Sequence, residues 1–129
     1  MTVSIFIVDD EPDVAELFRQ QFRREVRQGT YVLHFAQSAP EALDRLSGEI
    51  LPPLIVLLSD INMPEMDGLS LLQEIKRLRP DLPVMMVTAY GDEERRRRAR
   101  ELGAADFLSK PVDFAYLKAL LQQFPQLTP

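Results

Sequence analysis

The chain has 129 residues, 46% hydrophobic and 27% charged, which suits one soluble domain with its own core. The absence of cysteine excludes disulfides and cysteine-ligated zinc, and the net charge of −5 argues against general nucleic-acid binding. No apolar run approaches the ~20 residues of a membrane helix. The N-terminus lacks the basic and apolar regions of a secretory signal, so we expect a cytoplasmic protein.

The first half of the chain alternates apolar runs with amphipathic segments. An apolar, β-branched run predicts a buried strand over Val3–Val8, and apolar residues at helical spacing predict a first helix over 12–29. A second strand is predicted over Tyr31–Ala36. Ser38 and Glu41 have the spacing of a capping box, which indicates the start of a second helix.

The second half continues the alternation. Its predicted elements are, in order, a strand over 54–58 that ends at Ser59 and Asp60, a helix from Leu69 to Leu78, a strand over 84–87, a charged fourth helix over 92–102, a strand over 106–108 and a fifth helix over 114–124. Five alternating units predict an α/β fold in which helices cover both faces of a parallel sheet. We expect a doubly wound, flavodoxin-like sheet in the order 2-1-3-4-5, with a single domain over 1–129 and a structured core over about 3–124.

Polar residues follow the predicted strands at the points where the strands end. Asp9 and Asp10 follow the first strand, Asp60 ends the third, Thr88 ends the fourth and Lys110 follows the fifth. In open parallel sheets, ligands bind at this edge. Three converging carboxylates favour a hard cation such as Mg²⁺, Mn²⁺ or Ca²⁺ over zinc. A hydroxyl and an ammonium group beside the cation would complete a pocket for phosphoryl transfer onto a carboxylate.

The motifs that carry these residues resemble one family along nearly the whole chain. They are Asp9-Asp10-Glu11, the stretch DINMPEMDG over 60–68, Thr88-Ala89 and Lys110-Pro111. Together they resemble the receiver domain of two-component response regulators, of the chemotaxis-regulator type.

The resemblance implies a role for each residue of the predicted site. Asp60 corresponds to the phospho-acceptor. Asp10 corresponds to a direct ligand of Mg²⁺ (Mn²⁺ is the alternative), Asp9 to a ligand acting largely through water, and Asn62 to the residue whose backbone carbonyl binds the metal. Lys110 corresponds to the lysine that pairs with the phosphoryl group.

The resemblance also implies residues that respond to phosphorylation. Thr88 corresponds to the switch hydroxyl that binds a phosphoryl oxygen, and Phe107 to the switch aromatic residue. Pro111 matches a proline that often follows a cis peptide bond. Asn62 and Tyr90 match variable positions that tune the lifetime of the phosphoryl group.

The implied partners are a phosphoryl donor and a recipient of the signal. A histidine kinase or phosphotransfer protein would phosphorylate Asp60. The output would leave through the face of the fourth helix, the fifth strand and the fifth helix, toward a downstream protein or a second copy.

In the fourth helix, Ala99 and Leu102 form the inward stripe, and Arg96, Arg97 and Arg100 are expected to present positive charge to a partner. We expect the basic run 95–98 to be a solvated helix face paired with acidic residues four positions earlier, without direct nucleic-acid or membrane binding.

Several alternatives stay open at this point. We favour a stand-alone receiver that switches and slowly loses its phosphoryl group; the second reading is a receiver cut from a larger regulator or hybrid kinase with a C-terminal output domain. A metal-dependent phosphohydrolase that forms an aspartyl-phosphate is disfavoured because Asn62 stands where its second aspartate would be. A degenerate receiver is disfavoured by the complete set of site residues. His34 is expected to be an ordinary strand residue.

Overall fold

The protein folds into one layered α/β unit, which a computed structural model describes for residues 2–48, 50, 53–63, 66–88 and 93–123. The strands are β1 (Val3–Val8), β2 (Tyr31–Ala36), β3 (Leu54–Asp60), β4 (Val84–Thr88) and β5 (Asp106–Ser109). The helices are α1 (Pro12–Gln21), α2 (Arg23–Arg27), α3 (Ala39–Leu46), α4 (Gly68–Leu78), α5 (Glu93–Glu101) and α6 (Phe114–Leu121). All strand pairs are parallel, in the order β2-β1-β3-β4-β5. The predicted doubly wound fold and its strand order are confirmed.

Two apolar cores cover the two faces of the sheet. One core lies under α3, α4 and α5 and includes Leu46, Leu72 and Ala99. The other lies under α1 and α6 and includes Phe18 and Leu117. Every residue of β1 is buried, and so is nearly all of β3, because helices cover the sheet on both sides. This explains why the two central strands have continuous apolar sequences instead of alternating ones.

The predicted first helix over 12–29 is wrong in one respect: the chain forms two helices there. α1 ends at Gln21, and the short α2 follows after Phe22. Phe22 is fully buried, with its ring stacked on Phe18 at 5.9 Å and edge-on to Tyr31 at 6.0 Å. Val26, which follows Phe22 at helical spacing, is 43% exposed.

Side-chain caps mark the starts of three helices, α3, α4 and α6. The Ser38 hydroxyl accepts a hydrogen bond from the Glu41 backbone N–H at 3.2 Å, as the capping box predicts. The Glu41 carboxylate accepts from the Gln37 backbone N–H at 3.3 Å, one residue earlier than in the usual box. At α4, the Asp67 carboxylate accepts from the Ser70 N–H at 2.9 Å. Each cap satisfies a backbone donor that the first helical turn leaves unpaired.

Helix α5 has a much smaller buried surface than α4. Only Ala99 of α5 is buried, and Leu102 packs half-buried against the same core, which confirms the predicted inward stripe. Helix α4 buries five residues. Arg97 pairs with Glu94 at 3.0 Å, three positions away instead of the four predicted. Because little apolar surface anchors α5, we expect α5 to unfold locally more readily than α4.

The remaining predicted boundaries have mixed outcomes. Asp92, the predicted start of the fourth helix, lies outside the described residues, and so does Phe124, the predicted end of the last. Within the described residues the last helix, α6, ends earlier than predicted, at Leu121. Within the described part, no helix combines the length and the apolar character that crossing a membrane requires.

Candidate functional site

The parallel sheet brings the predicted site residues to one edge. In the strand register, Val8 is beside Ser59, Asp60 is beside Val87, and Thr88 is beside Ser109. Asp9 and Lys110 follow directly after β1 and β5. The ends of four neighbouring strands therefore carry the polar residues that the sequence placed there.

The carboxylates of Asp9, Asp10 and Asp60 form a cluster. One oxygen of each lies within 4.8 Å of the others. Asp9 and Asp60 are buried, while Asp10 is more open to solvent. Burial raises the pKa of Asp9, and the nearby charge of Asp60 raises it further, although a hydrogen bond from the Glu11 backbone N–H opposes this. Keeping three ionised groups so close is costly without a cation, and their oxygen atoms are the ligands that Mg²⁺ or Mn²⁺ prefers.

A purely structural role is conceivable for Asp9 and Asp10, as caps of the first helix. The N-cap residue of α1 is Glu11, and no side chain makes a capping hydrogen bond there. The Asp9 carboxylate instead accepts from the Glu11 N–H at 3.0 Å, which fixes it at the start of the loop. The capping interpretation therefore does not account for this pair.

Lys110 supplies the positive charge opposite the acidic cluster. Its Nζ donates to Asp60 Oδ2 at 2.9 Å and lies 3.6 Å from Asp9 Oδ2. Burial alone would lower the pKa of Lys110, but the hydrogen bond to Asp60 and the charges of both aspartates outweigh it and raise the pKa. The Lys110 backbone N–H donates to Thr88 O at 2.9 Å, which joins the ends of β5 and β4. The peptide bond from Lys110 to Pro111 is cis, as the resemblance led us to expect.

Asp60 is fixed by its own chain as well as by Lys110. Its Oδ1 accepts from the backbone N–H of Asn62 at 3.1 Å. The Asn62 side chain is directed to α5, where it accepts a hydrogen bond from Arg95. Tyr90, the other position expected to tune phosphoryl lifetime, lies outside the described residues.

Thr88 has a partner that sequence reasoning missed. Its hydroxyl is buried and accepts a hydrogen bond from Arg96 Nε at 3.3 Å. Phe107 is half-buried, with the Arg96 and Arg100 guanidinium groups 5.8 Å and 5.2 Å from its ring centre. Arg96 and Arg100, which we expect to present charge to a partner, also contact residues of the sheet: Arg96 contacts Thr88, Ser109 and Phe107, and Arg100 contacts Phe107. Their presentation of charge to a partner stays a prediction. No sequence motif indicates these contacts, because they depend on how α5 is placed across the sheet.

An apolar groove of about 400 Å³ opens beside the acidic cluster. Its walls come from α1 and from the segment between β5 and α6. Besides Asp9, Asp60 and Lys110 it is lined by apolar residues that include Val14, Leu17, Val112 and Phe114. Leu17 is 42% exposed, so part of this apolar surface faces solvent directly next to Asp60.

Comparison with known proteins agrees with this geometry. The family model for the response regulator receiver domain matches residues 5–122. A 14.6 kDa protein from the sodA1 3′ region of Leptolyngbya boryana is 40% identical over 124 residues, covering 95% of this chain and 89% of the relative. The response regulator protein PilR of Pseudomonas aeruginosa is 39% identical over 117 residues, covering 89% of this chain. The chain spans only 24% of the length of PilR.

A solved structure shows the same architecture. The CheY-like response regulator receiver domain protein of Methanospirillum hungatei JF-1 superposes with a TM-score of 0.83 at 28% identity, covering 95% of this chain and 93% of that one. The strand order, the residues at the strand ends and the family match over most of the chain lead to one conclusion. This chain belongs to the family of response regulator receiver domains.

Proposed function

We propose that this receiver domain accepts a phosphoryl group on Asp60. The observation that supports this most is the position of the Asp60 carboxylate. It lies buried between the Lys110 ammonium group at 2.9 Å and the carboxylates of Asp9 and Asp10, within 4.8 Å. Phosphoryl transfer needs mainly positioning and neutralisation of charge, and this arrangement supplies both.

The transfer step follows from the groups present. A carboxylate oxygen of Asp60 forms a bond to phosphorus while the bond between phosphorus and the donor's histidine nitrogen breaks, and the nitrogen keeps the electron pair. The product is an aspartyl-phosphate, and no oxidant or reductant takes part. Lys110 stays within reach to pair with the added negative charge, and the Thr88 hydroxyl is the donor proposed for a phosphoryl oxygen.

The residues present fit a magnesium site, with Mn²⁺ as the alternative. Asp10 and Asp60 would bind the ion directly, Asp9 largely through water, and Asn62 through its backbone carbonyl. When bound, the ion neutralises charge on the transferring phosphoryl group. Backbone hydrogen bonds hold two of these carboxylates in place: the Glu11 N–H donates to Asp9, and the Asn62 N–H donates to Asp60.

The proposed partners use different surfaces. A histidine kinase or phosphotransfer protein is the proposed phosphoryl donor, and the apolar groove beside Asp60 is the surface it would approach. The output is proposed to leave through α5, β5 and α6, because Phe107 on β5 and Arg96 on α5 connect that face to Thr88. We propose a cytoplasmic switch that slowly hydrolyses its own aspartyl-phosphate, with Asn62 and Tyr90 tuning that rate, and that makes no direct contact with nucleic acid or membrane.

Two alternatives concern this proposal: that the receiver is part of a larger regulator, and that the chain is a phosphohydrolase instead. PilR carries a much longer chain than the segment matched here, so a receiver within a larger regulator remains the alternative to a stand-alone one. A phosphohydrolase that forms an aspartyl-phosphate needs a second acid beside the nucleophile. Asn62 is in that position, and its side-chain oxygen accepts from Arg95, so it offers no acid for that chemistry.

Mass spectrometry after incubation with acetyl phosphate and Mg²⁺ tests the proposal. We expect one phosphoryl group on Asp60, none on Asp60→Asn, and a strong loss in Asp10→Asn or in excess EDTA. Asp13→Asn is the matched control, because Asp13 lies in the first turn of α1, outside the cluster. Modification of Asp60→Asn at the level of the parent protein would show that another residue is the acceptor.

A further inference from the structure

The side chain of Arg96 on α5 contacts three groups at the ends of β4 and β5. Its Nε–H donates to Thr88 Oγ1 at 3.3 Å, and its Nη2 donates to Ser109 Oγ at 2.6 Å. Its guanidinium carbon lies 5.8 Å from the centre of the Phe107 ring, within the range of cation–π attraction. A guanidinium group can only donate, so the oxygen of the buried Thr88 hydroxyl is the acceptor.

Asp60 does not share in this network. Its carboxylate accepts from the Asn62 backbone N–H and from Lys110 Nζ. Among the residues that the structure describes, no hydrogen bond joins Thr88 to Asp60, although their strands are neighbours. The Thr88 hydroxyl is therefore hydrogen-bonded to α5, through Arg96, while Asp60 Oδ2 is hydrogen-bonded to Lys110.

We propose that Arg96 is a positioning residue that holds the Thr88 hydroxyl toward α5 and so opposes phosphoryl binding at Asp60. This inference rests on the proposed function. In this proposal the Thr88 oxygen moves away from Arg96 Nε to bring its O–H to a phosphoryl oxygen, and a movement of Phe107 removes the cation–π contact as well. Contacts made in only one of two states shift the population toward that state. Arg96 thus raises the threshold at which phosphorylation switches the domain.

The neighbouring arginines do not have the same contacts. Arg97 is exposed and pairs with Glu94 at 3.0 Å. Arg100 lies 5.2 Å from the Phe107 ring centre, but no hydrogen bond joins it to Thr88 or Ser109 in the described residues. Arg97 is consequently a matched control of the same type on the same helix, one residue away.

The test is the affinity for beryllofluoride, a phosphoryl mimic, measured by titration in the presence of Mg²⁺. Arg96→Met keeps the length of the side chain but removes all its donors. We expect Arg96→Met to bind beryllofluoride about tenfold more tightly than the parent protein, the effect of losing one hydrogen bond from a charged donor in the competing state. Arg97→Met should bind like the parent. Unchanged or weaker binding by Arg96→Met overturns the inference.

A second pair of variants shows whether the effect passes through Thr88. In Thr88→Val the hydroxyl is absent, so adding Arg96→Met should give little further gain in affinity. A full tenfold gain in the Thr88→Val background would mean that Arg96 acts by another route, against the inference. Arg96→Lys, which keeps the charge but lacks the planar guanidinium whose Nε and Nη2 donate to Thr88 and Ser109, should give a partial gain and serves if Arg96→Met fails to fold.

The same titration separates the two proposals. If the parent protein binds no beryllofluoride, or if Asp60→Asn binds it equally well, the proposed function fails and this inference fails with it. If the parent binds, Asp60→Asn does not, and Arg96→Met shows no gain, only the role of Arg96 is refuted.

Discussion

Gly68, the first residue of α4, lies against the end of β3 next to Asp60. Its N–H donates to Ile61 O at 2.8 Å, which draws the start of the helix against the strand end. A Cβ atom at this position would lie 2.3 Å from Asp60 O and 2.7 Å from the Cα of Ile61. Both are backbone atoms of the segment that carries Asp60, the proposed phospho-acceptor, so a side chain at this position would displace that segment.

Gly68→Ala is therefore expected to destabilise the fold by roughly 1–3 kcal/mol, the usual cost of overpacking, and to slow phosphorylation of Asp60 by displacing it. Urea denaturation and acetyl phosphate labelling measure the two effects. Gly48→Ala is the control, because the nearest atom to its added Cβ would be Arg45 O at 3.9 Å. Equal stabilities of the two variants would contradict the steric argument.

Residue by residue, the sequence predicted which polar groups share the site but not how they are held. Asp9, Asp60 and Lys110 could be placed together because strand ends of a parallel sheet meet at one edge. The contacts of Arg95 with Asn62 and of Arg96 with Thr88 could not be predicted, because both depend on the position of α5. A run of arginines on a helix gives no indication of which of them turns inward.

Among the elements, β2 and α3 are connected by one histidine at the edge of the sheet. His34 Nε2 lies 2.9 Å from the Ser4 hydroxyl on β1, and Arg45 on α3 donates to its Nδ1 at 3.2 Å. The His34 ring also stacks near Phe6, with centroids 6.3 Å apart. Since Arg45 only donates, Nδ1 must accept, which requires neutral imidazole with its proton on Nε2. Burial and the charge of Arg45 lower the pKa of His34.

This connection predicts a pH-dependent part of the stability. Because the pKa of His34 is lowered in the folded state, the unfolded chain binds more protons as the pH falls through about 6.5. The contribution of neutral His34 is fully present above that range and is lost below it. His34→Gln cannot titrate there, so the unfolding free energy of the parent should fall relative to the variant between roughly pH 7.5 and 5.5. Parallel curves across this range would exclude the mechanism.

The elements themselves were mostly predictable, but the break between α1 and α2 was not. Continuous apolar runs indicated β1 and β3, and helical spacing indicated α4, because burial dictates both patterns. The break between α1 and α2 carries no glycine or proline. At the break, Phe22 contacts Phe18 and Tyr31, and Glu25 pairs with Lys118 on α6 at 3.0 Å. The contacts with Tyr31 and Lys118 depend on the tertiary fold, so helical spacing alone does not predict where α1 ends.

For the whole molecule, the acidic cluster that suits the domain for phosphorylation also opposes folding. Burial and the charge of Asp60 raise the pKa of Asp9, which means that ionised Asp9 costs folding free energy near neutral pH. Lys110 offsets part of this cost through its contacts with both aspartates. In the proposed function these oxygen atoms would bind the cation, and Asp60 would accept the phosphoryl group.

Asp9→Asn should therefore make the protein more stable in EDTA while weakening its response to Mg²⁺. Asparagine has the same shape and can still accept from the Glu11 N–H, but it removes one of three clustered charges. A ligand that binds only the folded state stabilises it by about 1.4 kcal/mol at ten times its dissociation constant, so Mg²⁺ should stabilise the parent clearly and Asp9→Asn less. Urea denaturation at neutral pH, with EDTA and then with Mg²⁺, gives both the stability without metal and the stabilisation by Mg²⁺.

Asp13→Asn, outside the cluster, is the control: it should lose at most a few tenths of a kcal/mol of stability at the helix N-terminus and keep the full Mg²⁺ response. A lower stability of Asp9→Asn than of the parent in EDTA would show that Asp9 stabilises the fold through Lys110 more than it strains the cluster.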